Sequence, residues 1–362
     1  LVSFNDICNN GSNILTPSGV SDHLGSYIFI PILSFFFNLD INISTNIFFI
    51  GYGILTFIIS IYYFNKIKFN YFGKIYGFFC IFLLFLKNIF ISDTYSFYGL
   101  TSLALIPVWY FFFKKNLINE KYSLILYSIF TGLLIAFSEM VRGQSGSIIL
   151  LCILIYYFFS IEKQIKLKFI SLIILIFPLI LSQILLSHLS EKRNLFFKEN
   201  PNFLYELEKR DIPLNHVRAV WHNAYYNLGF LSYYKSEFPK NTDEYSVKKA
   251  KKINPNVVPY TKEYEKKLMK EYFNFVKDYP LYFIKITFAK LGVIIMYLIV
   301  FINIGIYNLF KKGLSNQVKF FFLPGIFLNS SLGLAAEPDY SYLLGMFAFA
   351  SMMSVYTLEK NK

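Results

Sequence analysis

Residues 167–187 read LKFISLIILIFPLILSQILLS. Lys168 is the single ionisable residue in the run. An α-helix needs ~20 apolar residues to cross the hydrocarbon core of a bilayer, so this run is long enough. Hydrocarbon offers no water to backbone N–H and C=O groups, so such a run must satisfy them internally as helix. Comparable runs recur at Ser44–Phe64, Tyr71–Ser92, Tyr95–Phe113, Tyr122–Met140, Gly146–Ile161, Leu281–Leu309, Lys319–Ala335 and Tyr340–Leu358. The shorter run Ser26–Phe37 contains Pro31 and reads as a re-entrant or interfacial helix. The expected fold is therefore an all-α polytopic membrane protein. It has about nine transmembrane helices, a short re-entrant or interfacial helix and a long, partly helical outer loop.

Composition agrees. Of 362 residues 55% are hydrophobic and only 16% charged, against ~25% charged in a soluble domain. Mean hydropathy is +0.46. Ile, Phe, Asn, Lys and Tyr dominate, a bias of AT-rich codons that suggests a prokaryote and places the chain in a bacterial inner or plasma membrane.

The net charge of +13 does not signal nucleic acid. With the first segment placed outside, the inner loops hold Lys66, Lys68, Lys74, Lys114, Lys115, Lys121, Lys163, Lys166, Lys168, Lys311, Lys312 and Lys319, and the tail holds Lys360 and Lys362. The short outer loops hold Arg142. This is the positive-inside pattern, and it puts the C-terminus in the cytoplasm. Cys8, Cys80 and Cys152 make neither a disulfide framework nor a zinc site. The chain opens at Leu1 on a polar stretch with no signal peptide, and the expectation is that an opening transmembrane helix precedes it.

Four regions follow: a first outer loop with the interfacial helix (1–43), a six-helix region (44–187), a non-cytoplasmic loop domain (188–280) and a three-helix region (281–362). In the loop domain Asp243–Lys252 and Lys262–Asp278 are predicted helices with Thr242 and Thr261 as N-caps. Tyr264, Leu268, Tyr272, Phe275 and Val276 form an apolar stripe, which packs on the helix's own loop or rests on the membrane.

Most residues able to do chemistry map outside, and three clusters stand out. Asp22 and His23 precede the Ser26–Phe37 run; Asp22 is a general base toward a hydroxyl, a metal ligand or a helix N-cap. Glu139, Arg142 and Gln144 lie in the tight turn EMVRGQSG at 139–146. Arg142 there clamps a phosphate, or pairs with Glu139 to satisfy a hairpin. Trp221, His222, Asn223 and Tyr226 lie in WHNAYYNLGFL at 221–231, a stretch that suits sugar stacking and hydroxyl bonding, or an interfacial aromatic belt. Lys285 and Lys290 sit just inside an outer helix end, where they snorkel or hold a lipid phosphate.

These features together resemble the GT-C class of polyprenyl-phosphate-sugar-dependent membrane glycosyltransferases. The likeness rests on an outer-loop Asp ahead of a membrane-dipping helix, many spans, and the RGQSG and WHNAYYNLGF stretches. The resemblance implies transfer of a sugar from a polyprenyl-phosphate donor to a glycan, lipid or protein acceptor on the non-cytoplasmic face. Asp22 would then be catalytic and a divalent cation a candidate cofactor. The class commonly carries an adjacent acidic pair in its first loop, whereas here His23 follows Asp22. Two alternatives remain: an O-antigen-type polysaccharide polymerase or ligase, and a lipid-carrier transporter.

Overall fold

The computed structural model describes residues 24–67, 69, 71–91, 97, 121–159, 165–199, 220–231, 239–312, 315–316 and 318–357. Among the described residues the chain is helical throughout, with no strand. The helices are α1 (Leu24–Phe37), α2 (Ile41–Asn65), α3 (Tyr71–Ile91), α4 (Lys121–Val141), α5 (Ser147–Phe159) and α6 (Ile165–Glu199). Then come α7 (Val220–Tyr226), α8 (Asp243–Ile253), α9 (Lys262–Asp278), α10 (Pro280–Lys312), α11 (Leu323–Ala335) and α12 (Tyr340–Thr357). The expected Tyr95–Phe113 segment lies outside the described residues except for Phe97.

Among the described residues, four helical stretches are long and apolar enough to cross a membrane: Asn42–Asn65, Lys168–His188, Pro280–Val300 and Val318–Ala335. Ile28–Phe37, Ile125–Val141 and Ser147–Phe159 are shorter and apolar. Their outer surfaces are apolar too. On α6, Ile173, Phe177, Ile180 and Ile184 are each more than half exposed. They recur every three or four residues, so they form one continuous flank, a surface that water-soluble proteins rarely present.

The helix ends have local causes. Asp40 precedes α2 and its carboxylate accepts the Asn42 N–H at 2.8 Å. Pro324 has no N–H to return to Phe320, and a π-helical turn (Val318–Phe322) precedes α11. Polar side chains within α11 bond back to their own helix: Asn329 to the Gly325 carbonyl and Ser330 to that of Ile326, both at 2.7 Å. Such local bonds let them sit among apolar neighbours. α6 does not stop at Ser187, as hydropathy suggested, but runs to Glu199. Its 35 residues measure about 50 Å, longer than the ~30 Å of hydrocarbon. Its last turns contain no Gly or Pro to end it, and Pro201 follows.

α12 is the axis of the bundle. Leu343 to Val355 is buried on every face, against α3, α10, α11 and the π turn. The contacts between helix ends fall into two sets. One joins Phe64 to Phe69, Phe159 to Phe320, Ser315 to Tyr356, and Lys168 to the Tyr157 ring. The other joins Gly25 to Met140, Lys87 to the Tyr340 ring, and Lys290 to Leu334 and Ala336.

Helices α7, α8 and α9 make a small core of their own, with Tyr225, Leu228, Ala250, Tyr264, Leu268 and Phe275 buried. Tyr282 and Ile286 of α10 complete it. The stripe read from sequence thus packs on its own loop.

Candidate functional site

The first of two junctions lies at the Arg142 turn. Glu139, in the last turn of α4, reaches over it. One carboxylate oxygen accepts the Gln144 N–H at 2.8 Å, and the other accepts those of Gly146 at 3.0 Å and Ser147 at 2.9 Å. These are the amides that open α5, so a negative charge caps a helix N-terminus, where the dipole favours it. Gln144 takes φ of 76°, which turns its N–H inward. Ser145 bonds the carbonyls of Ser138 and Arg142 at 2.8 and 2.7 Å. Arg142 is 6% exposed, so its side chain is enclosed by the fold.

α1 seats against this hairpin by backbone contact. A Cβ on Gly25 would stand 2.6 Å from the Met140 carbonyl carbon, so only glycine permits the approach. Gly146 is held as closely: its Cβ would meet the Ile135 carbonyl oxygen. Behind the contact, Ile30, Phe49, Phe97 and Val141 form a buried cluster, and Tyr52 stacks on Phe97 at 4.5 Å. Asp22 and His23 lie outside the described residues, two to three positions before Gly25.

The second junction joins the loop domain to the bundle. Lys290 is 4% exposed. Its ammonium donates to the carbonyls of Ala336 at 2.5 Å and Leu334 at 3.2 Å, and lies 5.7 Å from the Phe230 ring. It therefore caps the C-terminus of α11, where a cation is favoured. Lys285 is exposed.

Within the loop domain His222 is 2% exposed and ties three helices together. Its Nδ1 lies 2.6 Å from the Tyr264 hydroxyl of α9, and its Nε2 lies 3.3 Å from an Asp243 carboxylate oxygen of α8. An ionised carboxylate only accepts, so Nε2 carries the proton toward Asp243. In the neutral ring Nδ1 then accepts from the Tyr264 hydroxyl. The bond from His222 holds the Asp243 carboxyl below its ordinary range, while burial pushes the Tyr264 phenol up and keeps it a donor. Glu265 completes the array, accepting the N–H of Trp221 at 2.7 Å and of His222 at 3.2 Å. Burial raises its carboxyl, against the lowering effect of those amides.

With both ring nitrogens engaged, His222 in this arrangement orders the domain and offers neither nitrogen to a sugar hydroxyl. Trp221, Asn223 and Tyr226 are half-buried on the same short helix. Sequence reading singled out His222 but missed Asp243, Tyr264 and Glu265 as its partners. They lie 21 to 43 residues away, and only the folded domain reveals the pairing. Among the described residues no three His, Cys, Asp or Glu side chains gather closely enough to hold a metal ion. No family model, curated protein or solved structure matches the chain.

Proposed function

We propose that the protein is a membrane glycosyltransferase that moves a sugar from a polyprenyl-phosphate carrier to an acceptor on the non-cytoplasmic face, in cell-envelope or surface-glycan assembly. The observation that carries this reading is the seating of α1. Its first residues stand against Met140 and Val141, so the chain immediately after Asp22 and His23 abuts the turn that bears Arg142. An acid and a phosphate-binding cation at one helix junction are what transfer from a lipid phosphate requires. The nine-span layout is part of the proposal. It is supported by the sorting of end contacts: one set joins residues expected inside, the other residues expected outside.

In this reading Asp22 accepts the proton of the acceptor hydroxyl as its oxygen bonds the anomeric carbon. The bond from that carbon to the phosphate oxygen breaks, and the carrier phosphate leaves with the electron pair. Arg142 holds the negative charge that builds there. Glu139 keeps the turn rigid by capping α5, and the loop domain stands over the outer helix ends through Lys290 and Phe230.

The test is transfer by the full-length protein in proteoliposomes, with a radiolabelled polyprenyl-phosphate hexose in one arm and a polyprenyl-diphosphate oligosaccharide in another. The expected result is transfer from the first donor, lost in Asp22→Asn at unchanged protein level. Transfer retained by Asp22→Asn, or obtained only from the oligosaccharide, overturns the proposal.

A further inference from the structure

The outer side of α9 carries a pattern the site does not use. Lys266, Lys270, Phe273 and Lys277 are exposed. At 100° per residue they fall on one narrow stripe, opposite the buried Tyr264, Leu268 and Phe275. Phe273 is 55% exposed. The Trp221 ring lies 5.4 Å from Phe273 and 5.6 Å from Tyr272, and Val220 beside it is 51% exposed. An aromatic and aliphatic patch flanked by lysines is therefore presented outward.

Its position says what covers it. Tyr272 meets Phe283 at 6.1 Å, edge to face, in the first turn of α10. That turn opens the Pro280–Val300 span, with Leu281 74% and Phe288 69% exposed on its apolar flank. The patch thus runs on into the exposed apolar flank of a stretch long enough to cross a membrane. Tryptophan and phenylalanine with lysines at the edge match the composition of helices lying in a bilayer interface, ~5–10 Å into the headgroup boundary. The lysines add attraction to anionic headgroups.

We infer that Val220, Trp221 and Phe273, with Lys270 and Lys277, form a foot by which the loop domain rests on the anionic lipid surface of the leaflet that α10 enters. The foot fixes the height of the domain above the helix ends. It does not depend on sugar transfer being the activity.

The chain has two tryptophans, Trp109 and Trp221. Trp109→Phe leaves Trp221 as the reporter in full-length protein reconstituted into phosphatidylcholine vesicles, with or without phosphatidylglycerol. Lipids brominated near the top of the acyl chain are expected to quench Trp221 more than lipids brominated near its end, and iodide in the water should quench it little. The shallow quenching should increase with phosphatidylglycerol and lose that increase in Lys270→Gln/Lys277→Gln. If Trp109→Phe fails to fold, the same loss is read as the difference between the unaltered chain and Trp221→Phe. Strong iodide quenching without lipid quenching overturns the inference. So does shielding from both quenchers, which would mean that a protein partner or a second copy covers the patch.

Discussion

Removing the carboxylate of Glu265 should release α7 from the loop domain. Glu265 is 7% exposed, and its two oxygens accept the first amides of α7, from Trp221 and His222. In Glu265→Ala those donors lose their acceptor inside the fold. An unsatisfied buried donor costs about 1–3 kcal/mol. Water entering the small space left by the side chain would hold each loss near the lower end, so the pair should cost about 2–4 kcal/mol. Since 1.4 kcal/mol is a factor of ten, local opening of α7 should become roughly 30- to 1000-fold more frequent. Hydrogen–deuterium exchange of peptides covering 220–231, read by mass spectrometry in detergent micelles, measures that opening. Glu265→Gln keeps one carbonyl oxygen and should show about half the loss in free energy. Glu263→Ala is the control: it lies on the same helix with its side chain 64% exposed, and should shift exchange by less than about 0.5 kcal/mol. Unchanged exchange at 220–231 in Glu265→Ala would refute the assignment of Glu265 as the cap that orders Trp221 and His222.

Three further outcomes are expected. Gly25→Val places a branched side chain against the Met140 backbone and should destabilise the α1–α4 seat by about 1–3 kcal/mol, read as a lower melting temperature in detergent, with transfer activity falling alongside. Lys290→Met keeps the apolar stem but leaves the Leu334 and Ala336 carbonyls without their donor; limited proteolysis should then cut faster at 336–339. The Asp243 carboxyl titrates below its ordinary value of 3.8 in the folded domain, because the bond from His222 favours the charged form. Its contribution is therefore present above 3.8 and is lost as pH falls through the lower folded value; Asp243→Asn should flatten that acid limb of the unfolding curve, an effect kept small by the 73% exposure of the side chain.

Much of the helix layout was legible because it depends on local signals. The expected limits Lys262–Asp278 are those observed for α9, and Thr261 is its cap, accepting the Tyr264 N–H at 3.3 Å. Asp243 opens α8 one residue after Thr242, although Thr242 lends no side-chain bond. Periodicity also chose the buried face of α9 correctly: Tyr264 and Leu268 are fully enclosed. What was not legible was the use of charge over distance. Glu139 read from sequence only as a possible mate for Arg142, and its capping role was not legible: its oxygens accept amides five to eight residues ahead. Glu265 carried no local signal, since the amides it accepts lie 43 and 44 residues earlier in the chain. Hydropathy also ended α6 too early, because the helix outlasts its apolar window once charged residues with good helix propensity continue it.

These two carboxylates clarify how the clusters divide. Each has a helix N-terminus in front of it, Glu139 that of α5 and Glu265 that of α7. A carboxylate already committed to amides is a poor base for an incoming hydroxyl, since protonating it would weaken the bonds it accepts. His222, flanked by Tyr264 and Asp243, is committed in the same way. Among the acidic candidates read from sequence, the general base in the proposed reaction is therefore better sought ahead of α1, where Asp22 lies, than at Glu139. The seat of Gly25 on Met140 is the contact through which that acid and the Arg142 turn would act on one substrate. Gly25→Val consequently separates this view from a single site centred on His222: it should reduce transfer while leaving exchange protection at 220–231 unchanged.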